Sequence, residues 1–408
     1  MTKRALRVVH LAYYYGNNTS GAPVAATRLH QALLRAGVDS HFICVEQRDS
    51  GVNVHAVPKA HAVERLFYLV TRAVWVVSKL LFGRIVMANV MPLWGFTRAM
   101  RKLSPDVVHI HMISQDMVSF AQLKALPYPM VATLHDFTLI NALDPHPQGD
   151  KRFVNGFMRG NSQWIERWVW NRKRKFIEVK RPLFSAPSMW AASVFSSSFV
   201  GRGQTAKVIP NPTDRIFRFS PELRSSHTHF RVIYGAFKGR STAKGWDDLV
   251  ASLDFLPEAV RCDMEIHVFG EKANATNIKG VRVEFLGGIS NSEELMRAYH
   301  QVDVCAFPSK METQGQVKIE ALLCGLPVLA FDRTACAEGI GPSGWIAADG
   351  DLRGYADGLQ HFYNLFKDGS IESLQHKIAE VAAVSMSEEK IVSDFIALYN
   401  NAVSGGSL

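Results

Sequence analysis

The chain has 408 residues, which is long enough for two domains with separate hydrophobic cores. Hydrophobic residues make up 47% and charged residues 20% of it, and this composition excludes an intrinsically disordered protein. The formal net charge of +9 favours an anionic partner: a nucleic acid, an anionic membrane surface or a phosphorylated ligand. The five cysteines lie in or beside apolar runs without a Cys-x-x-Cys pair, which predicts buried thiols and argues against a structural metal.

The N-terminus predicts no cleavable signal peptide. Lys3 and Arg4 precede only a short apolar run, and no small-residue cleavage site follows it. We therefore expect a cytoplasmic protein.

The first half of the chain predicts the opening of a doubly wound sheet. Apolar, β-rich runs predict strands at residues 6–12, 38–45, 106–111 and 130–134, and a helix is predicted at 25–36. A polar turn with a glycine, residues 13–23, separates the first strand from the helix. This strand–loop–helix–strand order is typical of a parallel sheet whose ligand site lies at the carboxyl ends of the strands.

Residues 151–181 combine dense positive charge with three tryptophans, Trp164, Trp168 and Trp170. The basic residues are Lys151, Arg152, Arg159, Arg167, Arg172, Lys173, Arg174, Lys175, Lys180 and Arg181. Tryptophans beside a cationic face predict a helix that lies on an anionic membrane. A solvated basic helix that packs its tryptophans on the sheet has the same composition, so both interpretations stay open.

Residues 66–96 are apolar but are interrupted by Arg72, Lys79 and Arg84. An uninterrupted membrane span of about 20 residues is therefore not available. The segment predicts either core helices or insertion into a membrane surface.

The second half repeats the alternation of strands and helices after Ile209-Pro210-Asn211-Pro212, a run that predicts an extended linker. Strands are predicted at residues 231–236, 264–270, 281–286, 302–307 and 327–331, and helices at 245–256, 292–299 and 316–323. Residues 387–402 predict a terminal amphipathic helix. The chain thus contains a second doubly wound domain.

Two carboxylates flank a glycine at the start of the helix predicted at 316–323. Glu312 lies in the preceding turn, Gly315 opens the helix, and Glu320 lies within its first two turns. Glycine lets a ligand approach the backbone, and the free N–H groups of a helix start bind phosphate. Carboxylates beside that phosphate can accept hydrogen bonds from sugar and ribose hydroxyls. The arrangement predicts a site for a nucleotide-sugar.

The stretch from Pro308-Ser309 through Glu312 and Glu320 to Gly325-Leu-Pro327-Val resembles the Glu-x7-Glu signature of the family-4 retaining glycosyltransferases. The resemblance implies that Glu312 faces the transferred sugar and that Glu320 binds the ribose of the donor. Donor-binding backbone N–H groups are expected at Thr313, Gly315, Gln316 and Val317. Gln314 departs from the family, which usually has an aromatic residue there.

The loop after the first strand of the second domain carries basic residues and ends in Lys244-Gly245. Fixed cations at this place stabilise the negative charge that the departing diphosphate gathers. The resemblance implies a catalytic basic pair. Lys244 matches its second member, and Arg240, with Lys238 as the alternative donor-binding residue, is expected as its partner because Ala243 stands where many relatives have arginine.

In the first domain, Thr133-Leu-His135-Asp136-Phe137 resembles the family's His-Asp-Phe element. This implies a catalytic role for His135 at the donor sugar or acceptor and an acceptor contact for Asp136, whereas a capping or packed histidine is the structural alternative. Gly21 matches the glycine loop expected close to the diphosphate. His109 and His111 alternate along a strand and share one face, but without a third ligand they predict no zinc site.

The resemblance covers nearly the whole chain. It implies an α/β protein of the GT-B fold, with two Rossmann-like doubly wound domains at residues 1–205 and 206–384 and an active site in an inter-domain cleft. Residues 385–408 are expected to form a helix that crosses back to the first domain.

The implied function is retaining transfer of a sugar from a nucleotide-diphosphate donor to a lipid-linked saccharide acceptor, as in exopolysaccharide or lipopolysaccharide assembly. We expect no cofactor and no metal requirement, and a peripheral location on the inner face of the cytoplasmic membrane through residues 151–181. A catalytically inactive nucleotide-sugar-binding scaffold is the alternative. A nucleic-acid binder is suggested by charge alone and lacks a motif.

Overall fold

The computed structural model describes most of residues 5–406. The description excludes residues 17–20, 58–65, 114–116, 144–150, 159–161, 236–238, 290 and 343. Between residues 67 and 91 it covers only residues 69, 73, 76, 80, 89 and 90. It divides into two compact units. The first unit contains Met1–Pro210 and Val392–Leu408, and the second unit contains Asn211–Ile391. The chain thus passes from the first unit to the second within the proline-rich run that the sequence predicts as a linker.

The first unit is built on a sheet of seven described strands, all parallel, in the order β5-β3-β1-β6-β7-β8-β9. The strands of this unit are β1 (Arg7–Ala12), β2 (Tyr14–Tyr15), β3 (Asp39–Cys44), β4 (Glu46–Gln47), β5 (Val54–Ala56), β6 (Val107–Met112), β7 (Met130–Thr133), β8 (Leu183–Ala186) and β9 (Ala206–Val208), with β2 and β4 paired separately. The central strands are apolar runs because helices cover a parallel sheet on both faces.

The helices of the first unit are α1 (Gly21–Arg35), α2 (Trp94–Leu103), α3 (Phe120–Ala125), α4 (Arg152–Asn155), α5 (Trp164–Lys180), α6 (Met189–Ser197) and the terminal α13 (Glu388–Val403), most of which belongs to this unit. Helix α1 begins at Gly21, inside the turn that we predict over residues 13–23. Pro23 stands in the first turn of this helix, where a missing N–H group costs little.

The second unit contains another sheet of seven described strands, in the order β12-β13-β11-β10-β14-β15-β16, with β12 antiparallel at one edge. Its strands are β10 (Phe230–Gly235), β11 (Met264–Phe269), β12 (Thr276–Ile278), β13 (Val281–Gly287), β14 (Val304–Phe307), β15 (Val328–Phe331) and β16 (Trp345–Ala347). Its helices are α7 (Trp246–Ser252), α8 (Glu258–Cys262), α9 (Ser292–His300), α10 (Gln316–Leu323), α11 (Leu352–Lys367) and α12 (Ile371–Ser385).

The strand order reverses at one point in each sheet. In the first unit the chain runs outward from β1 to β3 and β5 and then returns to the other side of β1 with β6. In the second unit the same reversal places β14 beside β10. Ligands of open parallel sheets bind outside the carboxyl ends of the strands at this switch point. The loops after β10 and β14 are therefore the expected site in the second unit. Both units have the Rossmann-like α/β architecture that the sequence predicts.

Within each sheet, an aspartate joins the amino ends of two neighbouring strands by the same hydrogen bond. The backbone N–H of Arg7 donates to Oδ2 of Asp106 at 2.8 Å, and that of Arg231 donates to Oδ2 of Asp303 at 2.8 Å. Each aspartate precedes the strand beside the central one, so it ties two neighbouring strands at their start. Asp303 is almost fully buried, and burial raises its pKa to about 7.

Helix α5 packs on the first unit through one face. Trp170 and Lys173 are buried: the indole N–H of Trp170 donates to the carbonyl of Gly156, and Nζ of Lys173 donates to the carbonyls of Asn141 and Ala142 at 3.0 and 2.8 Å. The packed interpretation of residues 151–181 therefore holds for this face.

The opposite face of α5 is different. Trp164 and Trp168 stand one turn apart and expose 67% and 42% of their surface. Lys175 and Val179 continue the same exposed stripe along the helix.

Four of the five cysteines are buried as predicted, but Cys262 is exposed. It occupies the last position of the short helix α8 (Glu-Ala-Val-Arg-Cys), in which only Val260 is buried. Among the described residues, no helix has the length and hydropathy that a membrane span needs.

Candidate active site

The loops after β10 and β14 are locked together by a glycine. Gly245 has φ +75°, and a Cβ atom on it would lie 1.9 Å from the carbonyl oxygen of Pro308. The backbone N–H of Lys310 also donates to the carbonyl of Ala243 at 3.1 Å. Only glycine allows this approach, which explains why a glycine follows Lys244 in the sequence. The contact fixes Lys244 beside the second loop.

Lys244 and Glu312 form an ion pair at the switch point of the second sheet. The Nζ atom of Lys244 lies 2.5 Å from Oε1 of Glu312. The hydroxyl of Ser309 donates to the same oxygen at 2.9 Å, and the backbone N–H of Glu312 donates to Oγ1 of Thr334 at 3.1 Å. The Glu312 side chain is 15% exposed and that of Lys244 is 37% exposed, so both are held in place yet accessible to a ligand. The structure thus joins two of the predicted catalytic residues.

Helix α10 begins next to this pair. Gly315 precedes it with φ +85°, and a Cβ atom there would lie 2.4 Å from Cζ of Phe307. The first N–H groups of the helix have no acceptor within the helix and can bind an anion. The predicted donor-binding residues Thr313, Gln316 and Val317 are half-buried on either side of the glycine.

The contacts of Gln314 give a reason for its departure from the family pattern. Its side chain is buried, and its Oε1 atom accepts the backbone N–H of Asn211 at 2.9 Å. The amide therefore ties the loop that carries Glu312 to the start of the second unit. A phenylalanine at this position would have no group that accepts this hydrogen bond.

Glu320 and Lys318 lie on the inner side of α10. Glu320 is buried, and its Oε2 atom accepts the hydroxyl of Tyr299 at 3.3 Å. Burial and the neighbouring carboxylate raise the pKa of the Tyr299 hydroxyl. Lys318 donates to the carbonyls of Ala335, Cys336 and Glu338, which anchors the loop that carries Thr334. Burial lowers the pKa of Lys318 to about 8. Neither this clamp nor Ser309 is predicted from the sequence.

Arg240 is held apart from Lys244 by other partners. Its guanidinium donates to both carboxylate oxygens of Glu271, at 2.6 and 3.1 Å, and lies 4.8 Å from the ring centroid of Phe285. Lys238, the alternative partner, lies outside the described residues. We expect a second cation at the diphosphate. Arg240 could serve as that cation only while its charge is shared with Glu271.

In the first unit, His135 follows β7 and is buried, and Asp136 accepts the backbone N–H of Thr138 at 2.8 Å. Gly21 is exposed at the start of α1, and a Cβ atom there would meet nothing within 4 Å. Among the described residues, no close contact therefore requires a glycine at this position.

Three histidines form a hydrogen-bonded chain across the centre of the first sheet. Nδ1 of His10 lies 2.9 Å from Nε2 of His111, and Nδ1 of His111 lies 2.9 Å from Nε2 of His135. His109, on the same face, is bonded to Tyr399 of α13 and to Thr133. Burial lowers the pKa of each ring, and that of His135 falls to about 3. Burial therefore favours the neutral form of all four rings.

The sequence analysis missed His10, which strand pairing brings opposite His109. The expectation that His109 and His111 lack a third ligand is therefore wrong, because ligand atoms of His10, His109 and His111, all buried, lie within 4.8 Å of one another. Nitrogens bound to one tetrahedral zinc ion lie about 3.3 Å apart, as Zn–N bonds of about 2.05 Å require. The 2.9 Å contact of His10 with His111 is instead a hydrogen bond.

Comparison with known proteins links this architecture to sugar transfer. The family model described as "Glycosyltransferase Family 4" matches residues 19–215, and that described as "Glycosyl transferases group 1" matches residues 232–364. A putative colanic acid biosynthesis glycosyl transferase, WcaC of Escherichia coli (strain K12), is 24% identical over 351 residues, which cover 79% of this chain and 83% of that protein.

Solved structures share the fold over almost the whole chain. Sucrose-phosphate synthase from Thermosynechococcus elongatus has a TM-score of 0.69 and 16% identity, and the match covers 98% of this chain and 100% of that one. HepE of Anabaena in complex with UDP-glucose has a TM-score of 0.65 and 16% identity, with 96% and 99% covered. WaaG, a glycosyltransferase involved in lipopolysaccharide biosynthesis, has a TM-score of 0.60 and 14% identity, with 98% and 100% covered.

The family models match both units, and the sheets, the switch-point loops and the solved structures agree with them. The chain belongs to the family-4 (group 1) glycosyltransferases of the GT-B fold.

Proposed function

We propose that this chain is a retaining glycosyltransferase that moves a sugar from a nucleoside-diphosphate donor to a lipid-linked saccharide in cell-surface polysaccharide synthesis. The observation that carries the proposal is the ion pair of Lys244 with Glu312 beside the start of α10. It places a cation and a carboxylate beside the start of a helix at the switch point of one sheet. WcaC and WaaG, whose names refer to colanic acid and lipopolysaccharide, support the acceptor class.

Each residue of the second unit has a separate task in this proposal. The N–H groups of Gly315, Gln316 and Val317, with Thr313, bind the diphosphate, and Glu320 accepts the ribose hydroxyls. Glu312 faces the sugar. Lys244, with Arg240 or Lys238 as the second cation, stabilises the charge that gathers on the departing diphosphate.

The reaction proceeds on one face of the sugar. The bond between the anomeric carbon and the diphosphate oxygen breaks, and the acceptor oxygen bonds to that carbon from the same side. The proton of the acceptor hydroxyl passes to the departing phosphate oxygen. We propose that His135 and Asp136 of the first unit bind the sugar or the acceptor and that Gly21 contributes to donor binding. The fixed cation of Lys244 takes the place that a metal ion has in other phosphate chemistry, so no metal is required.

Donor binding is the first measurement, by thermal shift and calorimetry with UDP, GDP, ADP and CMP and their sugars. UDP and UDP-glucose come first because HepE structures contain them. We expect one nucleoside diphosphate to stabilise the protein and Glu320→Ala or Lys244→Ala to abolish the shift. Lys279→Ala, at a surface ion pair with Asp254, is the matched control and keeps it.

Turnover separates this proposal from the inactive scaffold. Transfer to a lipid-linked acceptor in the presence of EDTA, with proton NMR of the product's anomeric signal, is expected to show retention. Donor binding without turnover on any acceptor would favour the scaffold, and loss of turnover in EDTA would refute metal independence.

We further propose that the first unit rests on the cytoplasmic face of an anionic membrane. The exposed stripe of α5, with Trp164, Trp168 and Lys175, presents aromatic rings and positive charge together. A second stripe supports it: the helical positions Leu66, Leu69, Ala73, Val76 and Leu80 are exposed and recur at helical spacing. Apolar side chains on an exposed helix face are suited to insertion at a bilayer surface.

Vesicle sedimentation tests the membrane proposal. The protein is expected to bind vesicles with 30 mol% phosphatidylglycerol, and Trp164→Ala/Trp168→Ala to weaken binding by about tenfold or more, since each lost tryptophan removes apolar contact area. The control Val381→Ala/Val384→Ala changes two exposed apolar residues of the second unit and keeps binding. Equal binding by both double variants would contradict the proposal.

A further inference from the structure

The ammonium group of Lys318 joins helix α10 to residues 333–338, which we call the clamp loop. Lys318 is buried, and its Nζ atom donates to the carbonyls of Ala335, Cys336 and Glu338 at 2.7, 3.1 and 2.5 Å. An ammonium has three N–H groups and no lone pair, so one loop uses all of its donors. A neutral amine has only two N–H groups, and its lone pair would face one of the three carbonyls. The clamp loop therefore fits the protonated side chain.

The clamp loop holds Glu312 in two ways. The backbone N–H of Glu312 donates to Oγ1 of Thr334 at 3.1 Å, and the backbone N–H of Ala335 donates to the carbonyl of Glu312 at 3.4 Å. The thiol of Cys336 donates to the carbonyl of Ser309 at 3.3 Å, and the hydroxyl of Ser309 donates to Oε1 of Glu312. The loop thus fixes both the backbone of Glu312 and the residue that contacts its carboxylate.

Thr334 needs support because its backbone is strained. Its φ is +49°, in the left-handed region that a β-branched residue rarely adopts. Such a conformation persists only where surrounding contacts impose it. The carbonyls that Lys318 binds begin at the next residue, Ala335, so the ammonium holds the chain immediately after the strained position.

We propose that the protonated amine of Lys318 is a positioning group for Glu312, which it holds through Thr334 and the clamp loop. Lys318 acts through other residues and not on the sugar itself. Its loss is therefore expected to misplace the carboxylate while the diphosphate still binds at the start of α10. The effect on catalysis rests on the proposed function, whereas the link between Lys318 and Glu312 does not.

A double-mutant cycle tests whether Lys318 acts through Thr334. Lys318→Met removes the three donors, and Thr334→Val removes the hydroxyl but keeps a β-branched side chain at the strained position. Each change is expected to lower kcat on the order of tenfold, with the Kd of the nucleoside diphosphate unchanged within about threefold. If the two residues act in series, the double variant is no slower than the slower single variant.

Thr213→Val is the matched control. It also removes a buried threonine hydroxyl of the second unit, one that has no hydrogen-bond partner among the described residues. This change is expected to leave kcat unaltered, both alone and in combination with Lys318→Met. Multiplied losses in Lys318→Met/Thr334→Val would overturn the proposal. An equal loss of kcat and of diphosphate affinity would also overturn it, because that result indicates a general distortion of α10.

The pH dependence of the wild-type protein provides the same test without a substitution. Burial lowers the pKa of Lys318 to about 8. The titratable groups that face it favour the protonated form and offset this effect only in part; they are Cys336, Glu312 and Glu338. The ammonium is therefore lost as pH rises through about 8, and kcat is expected to fall over the same range. Thr334→Val is expected to lack this fall, since it already interrupts the path to Glu312, and a fall of equal size would contradict that path.

Nuclear magnetic resonance of the isotopically labelled full-length protein gives a readout that does not depend on sugar transfer. The Cε signal of Lys318 and the amide signal of Glu312 are expected to titrate with one midpoint. The buried amide of Ala191, which donates to the hydroxyl of Ser188 in the first unit, is the control and stays unchanged. A Glu312 amide that does not move while Lys318 loses its proton overturns the proposal. If the wild-type protein transfers no sugar, the proposed function fails, while the spectra still decide whether Lys318 holds Glu312.

Discussion

Lys244 and Arg240 lie on the same loop, but their charges are held differently. Lys244 contacts a carboxylate, Glu312, that itself belongs to the site, so a diphosphate can compete for it locally. Arg240 is neutralised by two hydrogen bonds to Glu271 and stacks on Phe285, outside the Lys244 pair. The two cations are therefore expected to contribute unequally to catalysis.

We predict that Lys244→Met lowers kcat/KM by about a hundredfold or more, because a charge-assisted contact that strengthens in the transition state is lost. Arg240→Met is expected to cost less than about tenfold, since Glu271 already balances its charge. Steady-state kinetics with the identified donor provide the measurement. A larger loss for Arg240→Met would make Arg240 the main cation at the diphosphate.

Asp303 predicts a pH dependence of stability. Burial raises its pKa to about 7 in the folded protein, above the ordinary value for an aspartate. The folded state therefore binds a proton more tightly than the unfolded state, and this stabilisation is present below about pH 4 and is lost as pH rises to 7. In Asp303→Asn the amide oxygen can still accept the N–H of Arg231, but it does not titrate.

The urea-unfolding free energy of the wild type relative to Asp303→Asn is expected to fall between pH 5 and pH 8, by an amount on the order of a few kcal/mol. The comparison within one pH series removes the titration of groups that do not contact Asp303, a set that excludes His227, whose Nε2 lies 3.5 Å from Oδ1 of Asp303. A difference that stays constant from pH 5 to pH 8 would show that the carboxylate is ionised throughout.

At the scale of elements, Gly245 lets the two catalytic loops contact each other because it has no side chain. Gly245→Ala would place a Cβ atom against the carbonyl of Pro308 and would also strain a positive φ. Gly280→Ala is the matched control, because its φ of +91° is equally unfavourable but the nearest atom to a Cβ there is 3.7 Å away. The difference between the two variants isolates the contact of the loops from backbone strain.

We predict that Gly280→Ala costs about 1 kcal/mol of stability and that Gly245→Ala costs at least about 2 kcal/mol more, with reduced affinity for the nucleoside diphosphate. Thermal unfolding and donor calorimetry measure the two effects. Similar losses in both variants would mean that the loops are not held by this contact.

The central elements were predictable because long apolar runs and motifs define them locally. Helix α10 has the predicted bounds, and the predicted strands of both sheets agree with the observed ones to within two residues. The sequence did not predict β8, β9 or β16, which are short, or the helix α6, whose residues are mostly small. Short runs carry too little periodicity to separate strand from loop.

The candidate site was predictable only where the motif is continuous. Glu312, Gly315 and Glu320 are close in sequence, and their local arrangement follows from one loop and one helix. The chain of histidines depends on which strands become neighbours, and the register of β1 with β6 cannot be obtained from either strand alone. The burial of Lys173 on α5 could not be predicted for the same reason, because the carbonyls that accept its hydrogen bonds lie 32 and 31 residues earlier in the chain.

At the scale of the whole molecule, α13 completes the first unit from the far end of the chain. The hydroxyl of Tyr399 lies 2.8 Å from Nδ1 of His109, and Phe395, Leu398 and Tyr399 are all buried. Nearly three hundred residues separate the two partners of this hydrogen bond. The core of the first unit is therefore built from both ends of the sequence.

We predict that Tyr399→Phe lowers the free energy of unfolding by about 1–3 kcal/mol, because it leaves a buried imidazole nitrogen without a partner. Tyr355→Phe, which removes a buried hydroxyl bonded to the carbonyl of Leu329 in the second unit, is the control for the loss of a hydroxyl alone. Urea unfolding followed by amide hydrogen exchange shows which unit is affected. Loss of protection in β6 only with Tyr399→Phe is the expected result.

The return of α13 to the first unit also sets the order in which the two units can finish folding during translation. A ribosome synthesises residues of the first sheet early, but it delivers the helix that covers His109 only after the entire second unit. The second unit is continuous in sequence and can close while it is still being translated. The first unit stays incomplete until α13 has been synthesised, so its core stays exposed for longer than that of the second unit. The part of the enzyme that emerges first is thus the part that finishes folding last.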